Sequence, residues 1–256
     1  IYLDHSWMCK MIKTLSTVFF ATLCVASFAQ SSHASKWNYS SDTGPAHWGE
    51  LSDEYAACAE GKNQSPVNII TAHKYDHVPI QFKYEQPSNS LYFSDHGMAI
   101  NFGAGSFSLD GHTYSLQQVH FHSPSEHHIK GKSFPLEAHF VNADKNGNLA
   151  VVSVLFRQGV ENKNLKHIIY NAPKERWKHS IQVFKGLSAQ QLLPRKKTYY
   201  HLNGSLTTPP CSEGVLWLVM QHKVTVSAAQ ITQLKNLLKA PNNRPIQPLG
   251  SRIITR

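Results

Sequence analysis

Three histidines stand where chemistry is possible: His120 and His122, one residue apart, and His139 in the run Glu137-Ala138-His139. In Gln118-Val119-His120-Phe121-His122 the strand period of two puts both imidazoles on one face with Gln118, while Val119 and Phe121 turn the other way. Glu137-Ala138-His139-Phe140-Val141 repeats the pattern and sends Glu137 and His139 to one side. If residues 123–135 return the chain antiparallel, a third imidazole reaches the same space. Three neutral nitrogen ligands with a fourth position left to water is the arrangement of a catalytic zinc site, whereas a structural site is closed, usually with cysteines. Gln118 and Glu137 are then placed to accept the second ring N–H of a ligand and fix its orientation. The context carries this inference. With 16 histidines in the chain, chance alone supplies about one H-x-H pair, and polar or exposed imidazoles of a His-rich protein are the competing explanation.

The elements around these histidines read as strands. Short apolar or alternating runs occupy residues 80–84, 91–93, 98–102, 107–109, 113–121, 136–141, 149–156 and 215–220, separated by turn residues. Asp110-Gly111 lies between two alternating segments, a strong hairpin signal. Residues 150–156 and 215–220 are almost wholly apolar, as suits strands covered on both faces. Ser227 with Gln230 forms a capping box ahead of Ile231, Leu234 and Leu238 at helical spacing, and Pro241 stops the run; residues 165–170 form a shorter candidate helix. The expected fold is a β-dominated α+β domain: one large, mostly antiparallel twisted sheet with a few short peripheral helices.

Composition narrows the function class. The chain has 256 residues, 41% hydrophobic and 16% charged, enough to bury a core and unlike a disordered or collagenous chain. Its net charge of +9 is spread out, with Arg195-Lys196-Lys197 the one compact run and no nucleic-acid motif beside it, so nucleic acid is not an expected partner. Met11-Ile12-Lys13 opens a charged, then apolar, then small-residue order through residue 34, as in a secretory signal peptide, with cut sites near Ala29 or Ala34. The apolar part, residues 18–28, is short against the roughly 20 residues that span a bilayer, so no stable membrane anchor is expected. The expected division is a leader over residues 1–34 and one domain over 35–256, secreted or periplasmic. Cys9 and Cys24 leave with the leader, so a disulfide between Cys58 and Cys211 is the economical expectation in an oxidising compartment.

A cupin also combines H-x-H with a Glu four residues on and a distant His, and His120, His122, Glu126 and His139 match that list. Its Pro-x-Gly before the last ligand and its glycine spacing are missing. Metallo-β-lactamase-like hydrolases need H-x-H-x-D-H, where this chain has His-Phe-His-Ser-Pro-Ser-Glu-His.

Further motifs run along the chain from Trp37 to about Ile254: Gly44-Pro45-Ala46-His47-Trp48; Gly61-Lys62-Asn63-Gln64-Ser65-Pro66-Val67-Asn68-Ile69; Ser125-Glu126-His127 after the paired histidines; Asn203-Gly204-Ser205-Leu206-Thr207-Thr208-Pro209-Pro210-Cys211; and Asn242-Asn243-Arg244-Pro245. In kind and order they resemble the α-class carbonic anhydrases, in particular the secreted bacterial type. The resemblance implies zinc held by His120, His122 and His139, with zinc-bound hydroxide attacking carbon dioxide to give bicarbonate and a proton. It implies that Thr207 accepts a hydrogen bond from the hydroxide and gives its own proton to Glu126, and that the Thr207 N–H binds anionic inhibitors. Val141, Val151, Leu206 and Trp217 match the apolar wall that holds carbon dioxide, with Thr208 beside them in the pocket. Gln118, Glu137 and the carbonyl of Asn242 match the partners of the three histidines, and Cys58–Cys211 matches a disulfide bracing the Thr207 loop. His96 matches the proton shuttle and Tyr39 a tyrosine at the pocket mouth; Ala99 departs from a polar asparagine in the best-known members. Secreted bacterial members often dimerise, so a homodimer is a possible state. The reading from another class is a noncatalytic carbonic-anhydrase-like domain that uses the same cavity for binding.

Overall fold

The computed structural model describes residues 36–94, 97–173 and 181–256. The expected leader over residues 1–34 and the shuttle candidate His96 lie outside the described residues.

The strands in chain order are β1 (Asn68–Ile69), β2 (Gln81–Lys83), β3 (Ser88–Ser94), β4 (Gly97–Phe102), β5 (Ser106–Leu109), β6 (His112–His122), β7 (His128–Ile129), β8 (Leu136–Ala143), β9 (Leu149–Gln158), β10 (Ile181–Val183), β11 (Tyr199–Ser205), β12 (Glu213–Met220) and β13 (Val224–Val226). Among the described residues eleven of them form one sheet in the order β10-β3-β4-β6-β8-β9-β12-β11, with β13 joined to β9 and the β2–β5 ladder to β6; β1 pairs separately with β7. Most pairings are antiparallel, and β9 runs parallel to both β12 and β13. The expected β-dominated α+β fold on one large sheet is what the chain adopts, and every expected strand is present.

Local chemistry explains the main features. Asp110 and Gly111 both take positive φ, 49° and 77°, in the turn that joins Leu109 to His112, the conformation a tight two-residue hairpin demands. The apolar run of β9 is buried on both sides: Val152 and Val154 pack into the larger core, Val151 and Leu155 into a second core across the sheet. β12 divides in the same way, with Leu218 in the first core and Trp217 and Val219 in the second.

The helices α1 (Ala57–Glu60), α2 (Lys163–Tyr170) and α3 (Ala228–Leu238) are peripheral and short. Ser227 and Gln230 close the expected capping box on α3, which ends at Lys239 in a left-handed conformation before Pro241. Asn162 caps α2 by accepting from the N–H groups of Asn164 and Leu165. The sequence does not predict β1, β7, β10, β11 or β13. β10 is an edge strand with Ile181 and Val183 both exposed, and β11 mixes polar and aromatic residues along the opposite edge, so neither carries the alternation of a half-buried strand.

Candidate active site

The β6–β8 pair positions the three histidines. His120 stands opposite His139 and His122 opposite Glu137 in antiparallel register. A register irregularity lies between Leu116 and Gln118, just before the chemistry-bearing stretch, and therefore leaves the alternation from Gln118 onward intact. Val119, Phe121, Ala138 and Phe140 enter the larger core, which turns the histidines to the other face. There the rings of His120, His122 and His139 converge, with centroids 4.6–5.1 Å apart, and one ring nitrogen from each lies within 4.8 Å of the others.

The outward nitrogen of each ring is already committed. His120 Nδ1 pairs with Gln118 Oε1 at 2.9 Å, His122 Nδ1 with the Asn242 carbonyl at 2.6 Å, and His139 Nε2 with Glu137 Oε1 at 2.9 Å. Each acceptor fixes its ring as the tautomer with a bare nitrogen pointing inward. Among the described residues, buried His122 Nε2 has no hydrogen-bond partner. A buried orphan among two other bare nitrogens is costly unless something binds it, so the donor set fits a metal ion. Burial lowers the pKa of all three histidines, which keeps them in the neutral, ligating form. A second grouping, His127 with Glu137 and His139, is also tight enough to hold a metal, but there His127 Nδ1 and His139 Nε2 already bond to Glu137 Oε1, and His127 Nε2 is left buried without a partner among the described residues.

That grouping is the support beneath the site. Glu137 Oε1 accepts from His127 Nδ1 at 2.8 Å, His139 Nε2 at 2.9 Å and the Ser153 hydroxyl at 2.6 Å, and its Oε2 accepts from the backbone N–H groups of Glu126 and His127, both at 2.8 Å. Burial alone would raise its pKa; the neighbouring His127 and His139 and their hydrogen bonds outweigh that and hold it well below the usual carboxylate range. Glu137 is thus an ionised acceptor clamped by donors. His127, whose ring packs against Trp217 at 4.6 Å, and Ser153 were not singled out from the sequence. Ser153 is signalled only as the one polar residue in the apolar run of β9, and His127 lies off the alternating strands.

Glu126 is fully buried beside the histidines, its Oε1 accepting from the Arg244 N–H at 2.8 Å. Desolvation pushes its pKa up to about 7, against the opposing pull of His139, of that N–H and of the Thr207 hydroxyl. Among the described residues its Oε2 has no hydrogen-bond partner, so Thr207 faces the carboxylate without closing a full bond to it. Val151 and Trp217 belong to the second core, and Val141 and Leu206 pack against it, so the four apolar candidates lie together on the histidine-bearing face. A cavity of about 190 Å³ opens onto His120 and His122 and is lined also by Thr208, Tyr39, Trp37 and Tyr92. The wall positions of Trp37 and Tyr92 were not read from the sequence; Ala99, also on the wall, stands between Tyr92 and His120 on the neighbouring strands. Cys58 and Cys211 are joined, and the Cys211 N–H donates to the Thr208 carbonyl at 2.8 Å, tying the disulfide to the loop that carries Thr207.

Comparison with known proteins identifies the family. Residues 43–256 match the family described as eukaryotic-type carbonic anhydrase. The chain is 42% identical over 241 residues to a carbonic anhydrase of Pectobacterium carotovorum, covering 94% of this chain and 98% of that one. Among solved structures, the α-carbonic anhydrase of Thermovibrio ammonificans in complex with the inhibitor sulfanilamide superposes with a TM-score of 0.83 at 40% identity, over 87% of this chain and 99% of that one. The α-carbonic anhydrase of Photobacterium profundum does so with a TM-score of 0.81 at 42% identity, over 86% and 100%. The chain therefore belongs to the eukaryotic-type, or α, carbonic anhydrase family, and is an enzyme of the class whose activity is the hydration of carbon dioxide.

Proposed function

We propose that the protein is a zinc enzyme that converts carbon dioxide and water reversibly into bicarbonate and a proton, with His120, His122 and His139 as its metal ligands. The observation that carries this is the convergence of three bare imidazole nitrogens whose opposite nitrogens are all held by Gln118, Asn242 and Glu137. When bound, zinc acts as a Lewis acid that lowers the pKa of water to about 7 and so supplies a nucleophile at neutral pH.

The protein's own groups orient that nucleophile. An ionised Glu126 can only accept hydrogen bonds, so Thr207 must turn its single proton toward the carboxylate and a lone pair toward the attacking oxygen. The apolar side chains of Val141, Val151, Leu206 and Trp217 suit a nonpolar substrate, which gains nothing from polar partners, and Thr208 lines the cavity over His120 and His122. Gln118, Glu137 and the Asn242 carbonyl hold the ligand rings in place. His96 takes the released proton and passes it to buffer, being of the residue type that titrates near neutral pH. Residues 1–34 are a cleaved leader and residues 35–256 the catalytic domain, which works outside the cytoplasm; the Cys58–Cys211 disulfide supports that location. Among the described residues no helix is long and apolar enough to cross a membrane.

Metal analysis of purified protein, paired with a carbon dioxide hydration assay before and after chelation, tests the reading. Stoichiometric zinc and chelator-sensitive hydration support it; active protein without bound metal overturns it.

A further inference from the structure

Arg244 adjoins Glu126, is 1% exposed, and makes one set of bonds with its backbone and another with its side chain. Its backbone N–H donates to Glu126 Oε1 at 2.8 Å. Its guanidinium holds a different segment: Nη1 donates to Gln64 Oε1 and to the Ser65 carbonyl, and Nη2 to the Cys58 carbonyl, each at 2.8 Å. The segment it grips in turn grips the loop bearing Thr207. Gln64 Nε2 donates to the Cys211 carbonyl at 3.0 Å, the Ser65 N–H to the Ser205 hydroxyl at 2.9 Å, and the Ser205 N–H to the Ser65 hydroxyl at 3.2 Å. Ser205 and Cys211 bracket Thr207. The close approach needs Gly204, where an added Cβ would stand 2.1 Å from Ser65 Oγ and 2.9 Å from Trp217 Cδ1.

We propose that Arg244 is a positioning residue for carbon dioxide hydration: one residue that fixes the Glu126 carboxylate with its backbone and the Thr207 loop with its side chain, and so sets the alignment of the two. The inference rests on the roles given above to Glu126 and Thr207. A planar guanidinium can serve three backbone and side-chain acceptors on one rigid frame, which a lysine ammonium on a flexible stem cannot reproduce. Without the fork, Gln64 Oε1 and the carbonyls of Ser65 and Cys58 lose buried donors, and the two segments are free to shift. Misalignments below an ångström are enough to cost rate.

The test is a double-mutant cycle on the zinc-loaded enzyme, combining Arg244→Lys with Thr207→Ala, with zinc content measured throughout. Arg244→Lys is expected to keep its zinc and to lose about tenfold or more in kcat/KM for hydration. In the Thr207→Ala background the same change should cost less than about twofold, because the alignment it maintains is already gone. In metal-free protein, exchange of the backbone amide at position 244, which donates to Glu126, should accelerate in Arg244→Lys relative to wild type while amides of β8 and β9 keep their protection. Equal losses in both backgrounds, or a uniform rise in exchange, overturn the proposal and leave a general packing role. If Arg244→Lys does not fold, Gln64→Leu, which removes the Nη1 acceptor, is put through the same cycle: a loss confined to the Thr207 background supports the proposal, and equal losses overturn it. A wild-type enzyme without zinc or hydration activity would overturn the functional reading instead, and the exchange measurement separates the two failures.

Discussion

His127 and His139 donate to the same carboxylate oxygen, Oε1 of Glu137, at 2.8 and 2.9 Å. One atom therefore holds a metal-ligand candidate and a ring that is braced against Trp217. Glu137→Gln should destabilise the fold by about 3 kcal/mol, since an amide offers two N–H groups where the site presents only donors. Zinc affinity should fall about 10–100-fold as the His139 ring loses its orientation. Because the folded pKa lies below the ordinary value of 4.5, the stabilisation by Glu137 is complete above that pH and is lost as pH falls through the folded value. Denaturant melts across acid pH and a competitive chelator titration check this; unchanged stability and affinity in Glu137→Gln would show that the carboxylate clamps neither ring.

Glu126 predicts a proton signal on metal uptake. Its metal-free pKa of about 7 lies above the ordinary 4.5, so near pH 6 it is mostly protonated, and a cation arriving beside it favours the carboxylate. Zinc binding at pH 6 should release close to one proton more in the wild type than in Glu126→Gln, and the difference should vanish by about pH 8.5. Calorimetry in buffers of different ionisation enthalpy reads this directly. Identical proton release by the two proteins at pH 6 would show that Glu126 is already ionised without metal.

The disulfide spans 153 residues of sequence, a loop whose closure is worth about 5 kcal/mol in chain-entropy terms. Reduction should lower the melting temperature by about 5–15 °C at most, and the activity of still-folded protein should fall as the loop after Thr208 loosens. Equal melting curves with and without reductant would show that the bond does not stabilise the fold.

His96→Ala should lower kcat while leaving kcat/KM almost unchanged, because attack on carbon dioxide precedes proton release. An acid of pKa about 7 passes its proton directly to water at only about 10³–10⁴ s⁻¹, while chemistry of this kind reaches about 10⁶ s⁻¹. Small imidazole buffers should restore part of the loss. Parallel falls in kcat and kcat/KM with no buffer rescue would assign the shuttle elsewhere.

What the sequence could and could not reveal follows from where each residue's constraint lies. The strand period of two is enough to put His120, His122 and Gln118 on one face of β6, and Glu137 and His139 on one face of β8, because the ladder alone dictates it. Asp110-Gly111 specified its hairpin, and Ser227 with Gln230 its helix start, for equally local reasons. His127, Ser153 and the side chain of Arg244 carry no such signature: their partners lie 10, 16 and 179–186 residues away, and only the folded chain brings them together. β10 and β11 were invisible as strands because edge strands need not alternate.

The most direct test of the central claim is carbon dioxide hydration by the purified domain, measured as isolated, after zinc is stripped by a chelator, and after zinc is restored. The expected result is fast hydration, its loss on stripping and its return with one zinc per chain, with His139→Ala inactive and unable to retain the metal. Hydration that persists in stripped protein, or a His139→Ala variant with full zinc and full activity, would contradict it.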